Sequence, residues 1–156
     1  MPDWLWRMVY RLLFRTARLY WRIRRPDHVG AVVAVWFGER VLVLRQSYRS
    51  NPSWPGGGVH SGEEPAEAAR RELREEVQIA VLPEDLSLAG EIEVEWDYRR
   101  EHVFVFEMHL RRAPTIKLDN REVVDAEFLS PTLLLAREDL PPYIRAYLSG
   151  QKGRGA

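Results

Sequence analysis

Glu72, Glu75 and Glu76 are spaced i, i+3, i+4 within Pro65–Val77, a stretch whose composition and period predict a helix, so the three carboxylates share one helical face. Three acids packed onto one turn repel each other. A hard divalent cation relieves that repulsion, because Mg²⁺ takes oxygen ligands and keeps several waters that substrate phosphates can replace. Ala66, Ala69, Leu73 and Val77 fall on a separate apolar face, which can pack on a sheet and turn the acids toward a cleft. Upstream, Gly56–Gly58 lets backbone approach closely and can offer a carbonyl to a metal or amides to a phosphate. Taken singly, each glutamate also reads as part of a solvated, ion-paired face, with Arg71 four residues before Glu75.

The combination is more specific than its members. Gly57, Glu63, Arg71, Glu72, Leu73, Glu75 and Glu76 follow the pattern Gly, five residues, Glu, seven residues, Arg-Glu-aliphatic-any-Glu-Glu. In this the segment Gly57–Ile79 resembles the signature of the Nudix (MutT-like) hydrolases, which fixes seven positions over 23 residues. The resemblance implies an α+β fold, the family's α/β/α sandwich around a mixed β-sheet, here with an extra N-terminal amphipathic helix. It implies hydrolysis of a pyrophosphate bond in a nucleoside diphosphate derivative by metal-activated water, with Mg²⁺ as cofactor and Mn²⁺ as a substitute. By resemblance Gly57, Glu72, Glu75 and Glu76 hold the metal, Arg71 orients a carboxylate, and Glu63 assists at the mouth of the helix. Glu122, in the run Asp119–Glu122, is the first candidate for general base and Glu72 the second. Gly58, His60, Trp96 and Tyr98 join Glu63 as expected substrate contacts, the two aromatic rings as a platform for a nucleobase. Trp96 equally reads as a residue closing a strand end, and His60 as a solvated side chain.

Two positions depart from the family pattern. Gln78 stands where the family has Gly, which predicts an altered helix end. Glu64 precedes Pro65 as a weak N-cap, though one favourable with the helix dipole. A rival function from another class is a nucleotide-sensing module without turnover, against which three retained, mutually repelling acids argue.

The elements that must position these residues follow from hydrophobic period and turn formers. His28–Phe37 and Arg40–Arg45 read as a hairpin about Gly38-Glu39, with strands apolar enough for a sheet interior. Asn51–Gly58 is dense in turn formers and reads as a loop. Leu86–Trp96, Glu101–Leu110 and Val123–Leu129 read as strands, the second apolar on both faces and central. Ser130-Pro131 starts a helix over Thr132–Arg137, and Pro142–Leu148 forms another. Residues 27–150 make the catalytic domain and residues 151–156 a tail.

The chain has 156 residues, 46% of them apolar and 29% charged, which suits one folded domain and excludes whole-chain disorder. It has no cysteine, which excludes disulfide scaffolds, thiolate zinc sites and Cys nucleophiles, and is compatible with a cytoplasmic setting. Twenty-three basic and 23 acidic residues balance to zero, so no nucleic-acid partner is expected; a small nucleotide substrate is what the resemblance implies. The balance is uneven: residues 1–26 hold seven Arg and one Asp, a local +6, which leaves −6 on residues 27–156. Arg7, Arg11, Arg15, Arg18 and Arg22 form a helical stripe within residues 4–23. Such a helix is long enough to span a bilayer. Three mid-helix arginines at about 2.5–3.5 kcal/mol each, however, outweigh seven Leu, Ile, Val and Phe at about 0.3–0.6 kcal/mol each. Two readings stay open for residues 1–26. One is a peripheral helix at the inner face of a membrane. The other is a helix packed on its own domain or a second copy, with the arginine stripe outward. Arg24–Asp27 ends it as a linker.

Overall fold

The computed structural model describes residues 2–118 and 120–151; the expected tail beyond Gln151 lies outside the described residues, as does Asp119. The elements run α1 (Asp3–Arg24), β1 (Asp27–Phe37), β2 (Arg40–Gln46), β3 (Pro52–Ser53), β4 (Gly56–Gly58), α2 (Pro65–Val77), β5 (Ser87–Trp96), β6 (Arg99–Leu110), β7 (Val123–Leu129), α3 (Pro131–Leu135) and α4 (Pro142–Gln151). The sheet order is β3-β2-β1-β6-β5, with β4 also pairing β1 and β7 also pairing β2. Among the described residues only β1 and β6 run parallel, in continuous register from Asp27↔Arg100 to Phe37↔Leu110, so the sheet is mixed as expected.

Strand alternation builds two cores from one sheet. Ala31, Val33 and Val35 of β1 face one way, onto Ala68, Ala69, Leu73 and Val77 of α2. Val32 and Ala34 face the other, onto Leu134 of α3 and Tyr143, Ile144, Tyr147 and Leu148 around α4. The result is the α/β/α sandwich, and the strand runs that read as apolar on both faces are those covered on both.

Three local expectations change. Asn51–Gly58 is not a free loop: β3 pairs with β2 and β4 with β1, while Trp54 between them is fully buried against Tyr143 and Tyr147. Turn-rich composition hides such pairing because its partners are distant in sequence. Gln78 does not alter the end of α2; it takes the left-handed conformation a glycine would (φ 55°), and its amide and that of Ile79 both turn back to the Leu73 carbonyl. Helix α3 is shorter than expected and α4 longer, although Ser130 caps α3 by accepting from the Leu133 amide at 3.4 Å.

Helix α1 lies on its own domain with its faces placed otherwise than the arginine-outward reading requires. Trp6, Tyr10, Phe14 and Trp21 turn toward the body, where Phe14 packs on Tyr48 at 5.0 Å between ring centres. The arginine stripe latches the flank: Arg7 donates to the Asn120 carbonyl at 2.9 Å, Arg11 to the Ser47 carbonyl at 3.1 Å and Arg18 to the Asp97 carboxylate at 2.6 Å. Two different apolar arcs exist on this helix, and hydrophobicity alone does not say which one the domain takes.

Candidate active site

The strand β4 and the helix α2 meet where the signature lies. Antiparallel pairing puts Gly56 opposite Val32, Gly57 opposite Ala31 and Gly58 opposite Gly30. A Cβ at Gly56 would collide with the Ala31 carbonyl, and one at Gly57 with the Glu72 carboxylate. Close approach to backbone therefore requires glycine at 56, while a side chain at 57 would displace the Glu72 carboxylate. On α2 the fully buried residues are Ala68, Ala69, Leu73 and Val77, with Ala66 only partly covered. That apolar anchoring turns Glu72 and Glu76 toward β4.

Glu76 is 6% exposed and accepts a hydrogen bond from the Gly56 amide at 2.9 Å. Burial pushes its carboxyl well above the ordinary glutamate range, and the charges of Glu72 and Glu122 add to the rise. Glu72 is also raised by burial, against the pull of the Arg71 guanidinium, which donates to it at 2.5 Å. Arg71 ties the signature together: its Nε and Nη2 donate to the two Glu63 oxygens at 3.0 and 3.1 Å, and Nη2 also to the Gly58 carbonyl at 3.0 Å. These bonds and one from the His60 amide hold Glu63 down to about 2. Glu63 and Gly58, expected at the substrate, thus engage Arg71. Glu75 stands at the rim, its side chain 57% exposed and 3.7 Å from Arg71.

Beside β4 opens a cleft of about 350 Å³. Glu122, just before β7, lines it, accepts from the Tyr48 hydroxyl at 2.8 Å and lies near enough to Glu76 to raise its pKa. Trp96 lines the cleft as well, packed edge-on against Tyr143 at 6.0 Å. Tyr98 does not; it sits in the tight β5–β6 turn, with positive φ at both Asp97 and Tyr98, under the guanidinium of Arg18 at 5.3 Å. The His60 ring is exposed near Glu63 and is likewise outside the cleft lining. Other cleft residues carry no mark in the linear sequence. Arg49 lies among the rings of Phe14 (4.7 Å), Trp96 (5.1 Å) and Tyr48 (5.7 Å). Arg99, ion-paired with Glu101, covers the Trp21 ring at 3.9 Å. The one available signal is that Tyr48-Arg49 follows the end of an interior strand, where such sheets expose their sites.

The donor chemistry fits a divalent metal. The charges of Glu72 and Glu122 add to the cost of ionising Glu76, and Glu72 and Glu76 are both held from water beside a glycine strand. Among the described residues, no three His, Asp or Glu groups already converge on a single ligand point. Glu72 accepts from Arg71 through Oε1 and Glu76 from the Gly56 amide through Oε2, and a carboxylate that accepts one hydrogen bond keeps lone pairs for a cation.

Comparison with known proteins identifies the family. The family model for the NUDIX domain matches residues 26–148, and the chain belongs to the Nudix family. An RNA pyrophosphohydrolase of Acinetobacter baylyi is 36% identical over 81 residues, which cover 52% of this chain. The match takes in 46% of that relative, so the chain spans about half the length of the curated protein it resembles. Among solved structures, the MutT protein of Methanosarcina mazei Go1 superposes with a TM-score of 0.73 at 22% identity, covering 85% of this chain and 98% of its own. The dihydroneopterin triphosphate pyrophosphohydrolase of E. coli gives 0.66 at 22% identity, covering 78% and 92%. These two likenesses show the fold.

Proposed function

We propose that the chain is a Mg²⁺-dependent pyrophosphohydrolase that cleaves a nucleoside diphosphate derivative. The observation that carries this reading is the desolvated Glu72–Glu76 pair against Gly56–Gly58, beside an aromatic cleft that Gly56–Gly58 and Glu122 line. The name of the Acinetobacter relative, an RNA pyrophosphohydrolase, supports the bond type.

Glu72, Glu75, Glu76 and the Gly57 carbonyl would hold the cation, and Mn²⁺ meets the same donor set. When bound, the cation neutralises pyrophosphate oxygens and lowers the pKa of a water. Arg71 positions Glu72 and, through Glu63 and Gly58, fixes the start of α2 against β4. Glu122 takes the proton of the attacking water, and the Tyr48 hydroxyl fixes the orientation of its carboxylate. Phe14 and Trp96 offer faces to a nucleobase, while Arg49 between them offers charge to a phosphate.

The test is phosphate release from nucleotide sugars, ADP-ribose, dinucleoside polyphosphates, oxidised dNTPs and 5′-triphosphorylated RNA, with and without Mg²⁺ or Mn²⁺. Turnover by the wild type that falls at least about 100-fold in Glu76→Gln supports the reading. Equal turnover by both proteins would refute it. Tight nucleotide binding without turnover of any compound would assign the fold to sensing instead.

A further inference from the structure

The side of α1 turned away from the domain is apolar along its length. Met8, Leu12, Leu19 and Ile23 recur at one- and two-turn spacing there, with exposures of 55, 65, 61 and 74%. This arc is distinct from the aromatic face that meets the body. Arg15 and Arg22 lie at its border, both exposed, and among the described residues neither forms an ion pair with the domain. So the helix carries, on one side, what the domain uses, and on the other a row of aliphatic side chains edged by uncommitted positive charge.

Three surfaces could cover such a row, and two fit poorly. Among the described residues, no helix is long and apolar enough to cross a membrane. A second copy would bring two segments of +6 together, setting arginine rows against each other. A flat anionic surface suits both halves of the arc: aliphatic side chains enter the acyl boundary and arginines meet headgroup phosphates. Because residues 27–156 carry −6, attraction to such a surface is confined to α1 and sets the orientation of the whole molecule.

We propose that α1 docks the protein flat on an anionic phospholipid membrane through Met8, Leu12, Leu19 and Ile23, with Arg15 and Arg22 on lipid phosphates. Docking leaves the Arg7, Arg11 and Arg18 latches in place, since they lie on the domain side. The helix therefore does not leave the cleft in order to bind. The proposal does not depend on the hydrolytic reading.

Full-length protein is mixed with vesicles of phosphatidylcholine alone or with phosphatidylglycerol and assayed by flotation. Binding is expected only with phosphatidylglycerol, weakening as salt is raised. Leu12→Asp/Leu19→Asp and Arg15→Glu/Arg22→Glu are each expected to lose at least about tenfold in vesicle affinity. Their melting temperature and rate on a soluble substrate should stay at wild-type values, which excludes misfolding. Wild-type protein that ignores phosphatidylglycerol, or variants that bind as it does, would overturn the proposal. So would a wild-type dimer, by light scattering, that Leu12→Asp/Leu19→Asp converts to monomer, for that assigns the arc to a second copy.

Discussion

Glu76 and Gly57 show how little freedom the site has at the level of single atoms. Since a methyl at position 57 would overlap the Glu72 carboxylate, Gly57→Ala is expected to displace that carboxylate and cut kcat/KM by about 100-fold, with the circular dichroism spectrum unchanged. Glu122→Gln removes the proposed base and is expected to lower kcat by about 10²–10⁴-fold while nucleotide affinity is retained. Glu76 also makes stability depend on pH, with a sign that follows from its environment. Below its ordinary value of 4.5 both folded and unfolded forms are protonated and burial costs nothing. As pH rises past that value the unfolded chain ionises first, so the metal-free protein loses stability until the buried carboxyl ionises as well. Glu63 acts in the opposite direction and a lower window: its stabilisation is complete above 4.5 and is lost as pH falls toward about 2. Thermal melts with chelator from pH 4 upward should therefore show Glu76→Gln gaining on the wild type as pH rises; a gap that stays constant would contradict this account.

Helix α2, like α1, ends on a non-glycine residue in the left-handed region, Gln78 at φ 55° and Arg25 at φ 44°. A non-glycine residue in the left-handed region costs about 1 kcal/mol or somewhat more, and the Gln78 side chain is exposed. Gln78→Gly is expected to raise stability by about 1 kcal/mol, read as a rise of about 2–4 °C in melting temperature. Helix α2 is also the most legible element, because its apolar period, Pro65 and the register of its glutamates all lie within one continuous run. Strands β1, β2, β6 and β7 are legible for the same reason. What is not legible joins residues far apart: Tyr48 meets Glu122 across 74 positions, and Arg49 finds Phe14 on a helix that precedes the domain. The pairing of β4 with β1 belongs here too, since nothing within Gly56–Gly58 names its partner. For α1, period reveals the faces and leaves their assignment to tertiary contact. Because Phe14 lines the cleft, Phe14→Ala is expected to raise KM for nucleotide substrates several-fold at nearly constant kcat, as removal of a binding wall should.

For the molecule as a whole, the zero net charge is a sum of a basic helix and an acidic body. The acidic excess includes the buried carboxylates of Glu72 and Glu76, so a divalent ion that binds only the folded form should stabilise it. At a concentration 100 times Kd the gain is about 2.7 kcal/mol, measurable as a metal-dependent rise in melting temperature that Glu76→Gln largely abolishes. The three arginine latches have a further consequence, one of timing. Their acceptors lie 36, 79 and 113 residues downstream, at Ser47, Asp97 and Asn120. At roughly 5–20 residues per second, the interval between synthesis of Arg7 and of its acceptor is roughly 6–23 s. A helix of this length forms within about a microsecond. During translation α1 thus exists for seconds with both of its apolar faces bare, and the first surface it can meet is not the domain it finally rests on.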